Sequence, residues 1–269
     1  MEKKNIDWSS IGFGYIKTDK RYVSNYKNGA WDEGTLTDDA NIVLSECVGV
    51  LQYAQTVFEG LKAYTTEDGR IVCFRPDLNA SRMADSAKRL EMPAFPEDRF
   101  VKAVEETVRA NAAYVPPYGS GATLYIRPYM FGSNPVIGVK PADEYQFRMF
   151  CTPVGPYFKG GAKPITIKVS DFDRAAPHGT GHIKAGLNYA MSLHAIVTAH
   201  QEGYDENMYL DAATRTKVEE TGGANFIFVT KDGTVVTPKS NSILPSITRR
   251  SLMVVAEKFL GLKVEHREV

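Results

Sequence analysis

Thirteen residues in the middle of the chain, Thr152 to Pro164, carry three prolines and three glycines. A proline cannot donate to a ladder and a glycine resists regular dihedrals, so that density breaks helix and strand alike. The chain is expected to divide there, into a first domain over 1–151, a connection over 152–164 and a second domain over 165–269. On both sides of the break short apolar, β-branched runs alternate with helical patterns, which predicts mixed α and β structure in two domains. Arg70 to Phe74 reads as a strand after the Asp68-Gly69 turn. Pro76-Asp77 opens a helix with Leu78, Met83, Ala87 and Leu90 inward, and a second helix follows Pro96 with Phe100, Val104, Val108 and Ala112 inward. Residues 122–131 and 146–151 read as strands. Beyond the connection the pattern gives strands at 165–169, 207–210 and 226–230, and helices at 187–200 and after Pro245. A last strand-like stretch, Leu262 to Val264, has no closing element after it, so the second domain is expected to be incomplete at its C-terminus.

Charge and cysteine usage narrow the function. Thirty-two Lys and Arg balance thirty-two Asp and Glu, leaving no overall basic field to hold a nucleic acid. No apolar run is long enough to span a membrane. Cys47, Cys73 and Cys151 are far apart with no C-x-x-C pair, and no secretory leader is visible, which suits reduced thiols in a cytoplasm. His178 and His182 have ligand spacing, but Gly179 and Gly181 make that stretch a loop and no glutamate accompanies them, so no metal is expected. Phosphate-loop, nucleophile-elbow and dinucleotide fingerprints are all absent.

One segment points to chemistry. Gly181-His182-Ile183-Lys184-Ala185-Gly186-Leu187-Asn188-Tyr189 sets a lysine in a small-residue loop before an apolar helix. A lysine partly withdrawn from water is a Schiff-base nucleophile, and the plainer alternative is a solvated lysine ahead of a helix. A pyridoxal phosphate site would also need a carboxylate for the pyridine nitrogen, a donor for the 3′-oxygen and a helix N-terminus with a cation for the phosphate. Glu219 to Asn225 offers a carboxylate in a tight glycine turn, and Pro245-Ser246-Ile247-Thr248-Arg249 offers a helix start. Singly, Arg82 reads better as a snorkelling surface arginine, Glu220 as one acid among many and Tyr189 as a core tyrosine; jointly they supply the whole set.

Along nearly its whole length the sequence resembles the branched-chain amino acid aminotransferases, pyridoxal-phosphate enzymes of fold type IV. The resemblance rests on Phe58-Glu59-Gly60-Leu61-Lys62-Ala63-Tyr64, Phe74-Arg75-Pro76 with Asn79-Ala80-Ser81-Arg82-Met83, Leu124-Tyr125-Ile126-Arg127-Pro128, the Lys184 segment, the Glu220 turn, and Leu244 to Arg249. It implies a two-domain fold like that of D-amino acid aminotransferase, with a small N-terminal domain and a larger cofactor-binding one. It implies that Lys184 carries the cofactor as an internal aldimine and shuttles the proton, that Tyr189 meets the 3′-oxygen, Glu220 the pyridine nitrogen, and Arg82 with Ile247 and Thr248 the phosphate, while Arg174 stands behind them. By the same resemblance Phe13, Tyr53, Phe58, Tyr125 and Arg127 form the substrate pocket, Tyr53 reaching across a homodimer. The implied reaction is ping-pong transamination of leucine, isoleucine and valine with 2-oxoglutarate. The alternatives are a D-amino acid transaminase, an aminodeoxychorismate lyase, or a catalytically incomplete chain that only folds and dimerises.

Overall fold

The computed structural model describes residues 2–156 and 163–269, and the chain forms two compact units, 1–163 and 164–269.

The N-terminal unit is built on an antiparallel sheet. Its strands are β1 (Arg21–Lys27), β2 (Ala30–Trp31), β3 (Thr35–Thr37), β4 (Thr56–Phe58), β5 (Leu61–Thr65), β6 (Ile71–Cys73), β7 (Thr123–Gly132) and β8 (Tyr145–Val154). The order is β2-β1-β8-β7-β5-β6, with β3 on β1 and β4 on β7. The short helix α1 (Gly49–Tyr53) precedes β4; α2 (Pro76–Arg89) and α3 (Glu97–Ala110) pack on each other, and α3 packs on β8 and β1. Both long helices begin where proline chemistry starts them, α2 with Pro76 in its first turn and α3 after Pro96. Phe100, Val104, Val108 and Ala112 are all buried, as their spacing predicts. Strand alternation sorts the side chains of β7: Leu124, Ile126 and Met130 enter the core, while Tyr125, Arg127 and Tyr129 lie on the opposite face. The core closes around Phe147, whose ring stacks on Phe95 at 3.9 Å.

The expected connection over 152–164 begins too early. Thr152, Pro153 and Val154 continue β8, paired with Tyr125, Leu124 and Thr123. Proline is tolerated there because β1 pairs with β8 only as far as Met149, so the stretch is an edge and its missing N–H breaks no second ladder. Residues 157–162 of that expected connection lie outside the described residues.

In the C-terminal unit, β9 (Ile167–Val169) runs parallel to β10 (Glu206–Leu210), which pairs antiparallel with β11 (Val218–Thr221). A second small sheet has β12 (Phe228–Val229) antiparallel and β14 (Val264–Arg267) parallel to β13 (Val235–Pro238). Helix α4 (Gly186–Gln201) packs on β10, and α5 (Ile247–Val254) continues into a wider turn over Val255–Phe259. Among the described residues no helix is long and apolar enough to cross a membrane.

Candidate active site

Four of the expected pocket residues meet on the face of the N-terminal sheet opposite α2 and α3. Arg127 lies over the Phe58 ring at 4.9 Å and donates through Nη2 to Tyr125 Oη at 2.9 Å, while Phe13 meets Tyr125 edge-on at 5.5 Å. Gly60 turns the chain beneath them, and a Cβ there would collide with Tyr125 Oη. The result is a guanidinium framed by aromatic rings, a surface that takes apolar chains and carboxylates alike. Tyr53 stands apart at the end of α1, 40% exposed, its hydroxyl donating to Ile137 O.

Arg82 is no surface arginine. Helix α2 buries it against Glu59, which is wholly inaccessible, with Nε to Oε1 and Nη2 to Oε2 both at 2.7 Å. Asn79, one turn earlier, donates to the same carboxylate at 2.8 Å. Desolvating two charges costs several kcal/mol each, which only this bidentate geometry and the added donor offset.

In the C-terminal unit Lys184 sits between two anchors, Ile183 and Ala185, both buried. Asn188, on the first turn of α4, clamps the loop before it by donating to Thr180 O (2.7 Å) and Ile183 O (3.0 Å) and accepting from Thr180 Oγ1. The half-buried Lys184 Nζ then donates to Tyr189 Oη at 2.7 Å. Glu220 is on strand β11 and not in the glycine turn, which begins two residues later. Alternation along β11 separates the two glutamates: Glu219 accepts from Ser240 and Ser242, whereas Glu220 accepts from Leu244 N (3.0 Å) and Asn225 Nδ2 (2.6 Å). Burial pushes the Glu220 carboxyl up to about 7, against the downward pull of Arg174, whose Nη2 is 2.7 Å from Oε1.

Arg174 ties the unit's functional segments together. The same nitrogen donates to Gly181 O, three residues before Lys184, and to Ser242 O, on the approach to α5. Position 181 must be glycine for this, since a Cβ would strike Ser242 O and Arg174. Ser246 caps α5 by accepting from Arg249 N at 3.1 Å, leaving the first-turn N–H groups of Ile247 and Thr248 without helical partners. His178 and His182 are exposed loop residues.

The class IV aminotransferase family matches residues 56–269 of this chain. The chain is 51% identical to a branched-chain-amino-acid aminotransferase of Helicobacter pylori, over 99% of its own length and 79% of the relative's. Membership follows from these two matches. The chain belongs to the class IV aminotransferases, in their branched-chain group.

Solved structures of such aminotransferases share the fold. That of Escherichia coli superposes with a TM-score of 0.77 at 30% identity, covering 94% of this chain and 78% of that one. That of Thermobaculum terrenum, in its PLP-form, gives 0.75 at 25% identity over the same shares. The donor set of this aminotransferase's C-terminal unit fits that group: an amine in a clamped loop, a phenol beside it, a buried carboxylate with a raised pKa, and the free N–H groups of a helix start. Sequence reasoning missed Glu59 and Asn188 as structural partners. Glu59 stood inside a quoted motif, and Asn188 at the first turn of an apolar helix is the one signal that marked it.

Proposed function

We infer that the chain transaminates leucine, isoleucine and valine with 2-oxoglutarate, in two half-reactions that use pyridoxal 5′-phosphate. The observation that carries the reading is the Lys184 amine held 2.7 Å from the Tyr189 phenol in a loop fixed by Asn188, in a chain half identical to an enzyme of that name. When bound, the cofactor supplies an aldehyde that takes the amino group and a pyridinium that draws electrons from the substrate Cα. Lys184 is the residue that would hold it covalently, and its freed amine would move the proton at the substrate Cα. Tyr189 orients that amine and donates to the 3′-oxygen. Glu220 keeps the pyridine nitrogen protonated, with Arg174 holding its carboxylate in place. In the C-terminal unit the Ile247 and Thr248 N–H groups would bind the phosphate.

Phe13, Phe58 and Tyr125 receive the branched side chain, and Arg127 receives the second carboxylate of glutamate or 2-oxoglutarate in the same space. Tyr53, partly exposed at the end of α1, serves the pocket of a second copy in a homodimer. The setting is cytoplasmic, and the small-molecule partners are amino acids and 2-oxo acids.

The test is the visible spectrum of the protein with pyridoxal phosphate, before and after borohydride, beside Lys184→Ala, followed by assays with L-leucine and D-alanine. A long-wavelength band that borohydride traps in the wild type alone, with turnover of L-leucine only, is the expected result. A band retained by Lys184→Ala refutes the lysine assignment, and turnover of D-alanine the substrate class.

A further inference from the structure

The face of the N-terminal sheet that carries Arg127 also holds a cavity of about 340 Å³, lined by Tyr15, Arg21, Ala40, Tyr129, Arg148, Met149 and Phe150. Arg21 and Arg148 are only 3% and 7% exposed, and among the described residues neither has a carboxylate within 4 Å. What holds them is neutral. Arg21 donates to the main-chain oxygens of Asp38 (2.5 Å) and Thr18 (2.9 Å), and Arg148 to Asp39 O (3.1 Å) and Gln146 Oε1 (3.1 Å). The two aspartate carboxylates bond elsewhere, Asp39 with the N–H and Nδ2 of Asn41 and Asp38 with Lys20, and Asp39 reaches Arg148 only through its field. Two neighbouring guanidinium groups are thus fixed and desolvated with no carboxylate in contact, a cost that neutral hydrogen bonds and the field of Asp39 offset only in part. Beside them stand Tyr15, edge-on to Phe150 at 5.7 Å, and Tyr129, edge-on to the same ring at 6.0 Å.

We propose that this cavity is a binding site for a small carboxylate with an apolar body and no amino group. The two arginines take the carboxylate by charge-assisted hydrogen bonds and the three rings take the hydrocarbon. Inorganic phosphate fills a small part of 340 Å³ and leaves the rings wet, and an ammonium group is repelled by two guanidinium charges. The site excludes amino acids and admits 2-oxo acids and simple fatty acids. It adjoins the Arg127 pocket, since Phe150 pairs with Arg127 across β7 and β8, but Phe13, Phe58, Tyr125 and Arg127 are not among its lining residues, and binding there does not depend on the transamination reading.

The probe is 4-methylpentanoate, which has no keto group to react, titrated calorimetrically into the full chain. Arg21→Met and Arg148→Met each weaken binding at least about tenfold, whereas Arg127→Met leaves it. Tyr15→Ala weakens 4-methylpentanoate and leaves the weak binding of inorganic phosphate unchanged, and L-leucine does not compete. Binding lost in Arg127→Met and kept in Arg148→Met overturns the proposal, as does phosphate binding as tightly as the probe or L-leucine competing equally. So does a result in which the probe does not bind and Arg148→Met turns a sedimenting dimer into monomers, which assigns the face to a second copy of the chain.

Discussion

Glu220 gives the C-terminal unit a pH dependence whose sign and size follow from its burial. Its carboxyl, ordinarily near 4.5, is held at about 7 in the folded chain. Between those values the folded state keeps a proton that the unfolded chain has lost, so stability falls as pH rises through the window and levels off above 7. Two and a half pH units at 1.36 kcal/mol each amount to about 3 kcal/mol, of which about 2 kcal/mol falls between pH 5 and pH 8. Glu220→Gln removes the titration while its amide oxygen still accepts from Leu244 N. Urea unfolding of the cofactor-free protein at pH 5 and pH 8 measures the effect, read as the change in wild type minus the change in the variant. The wild type is expected to lose about 2 kcal/mol more on going to pH 8. Parallel losses refute the reasoning, and a wild type that gains relative to the variant means that the Arg174 ion pair outweighs burial.

Other perturbations bear on the remaining groups. Glu59→Ala strands Arg82 in the core and should cost about 3–5 kcal/mol in urea or thermal unfolding of the N-terminal unit; a loss below about 1 kcal/mol contradicts the buried pair. Tyr189→Phe removes the oxygen that Lys184 Nζ meets at 2.7 Å and should lower kcat about ten- to a hundredfold with little change in Tm; an unchanged kcat removes Tyr189 from the chemistry. Cys151 is inaccessible, and burial pushes its thiol up to about 12, so it should resist a disulfide reagent at pH 8 until urea unfolds the chain; three thiols reacting promptly in buffer would contradict that.

Much of the fold was legible where local chemistry decides it. Pro76 and Pro96 start helices, and apolar spacing gives their inward faces, so α2 and α3 could be read residue by residue. What could not be read depends on partners distant in sequence. Thr152 to Val154 look like connection because of Pro153, yet they are strand because residues 123–125 lie alongside. Strand β11 reads as a polar turn, since Glu219 and Glu220 become strand residues only when Ser240, Leu244 and Arg174 answer their carboxylates. The candidate site divides in the same way. Lys184 and Tyr189 stand five residues apart on one loop and helix, and their contact follows from that spacing. Glu59 and Arg82 lie on different elements, and the sequence has no local mark of their pairing.

The buried arginines separate structural charge from functional charge by the sign of one kind of substitution. Arg82 is matched by Glu59 at 2.7 Å in both arms, so Arg82→Met leaves a fully buried carboxylate without a cation and should destabilise the N-terminal unit by about 3–5 kcal/mol. Arg148 is hydrogen-bonded only to neutral oxygens, so Arg148→Met removes a charge with no carboxylate in contact while keeping most of the stem's volume, and the unit should hold or gain stability in the absence of ligand. Unfolding of both variants in carboxylate-free buffer decides the matter. If Arg148→Met destabilises as much as Arg82→Met, its guanidinium is part of the fold's own bonding. If it does not, the fold carries that charge at a cost, which a ligand or a second copy of the chain recovers from outside the unit.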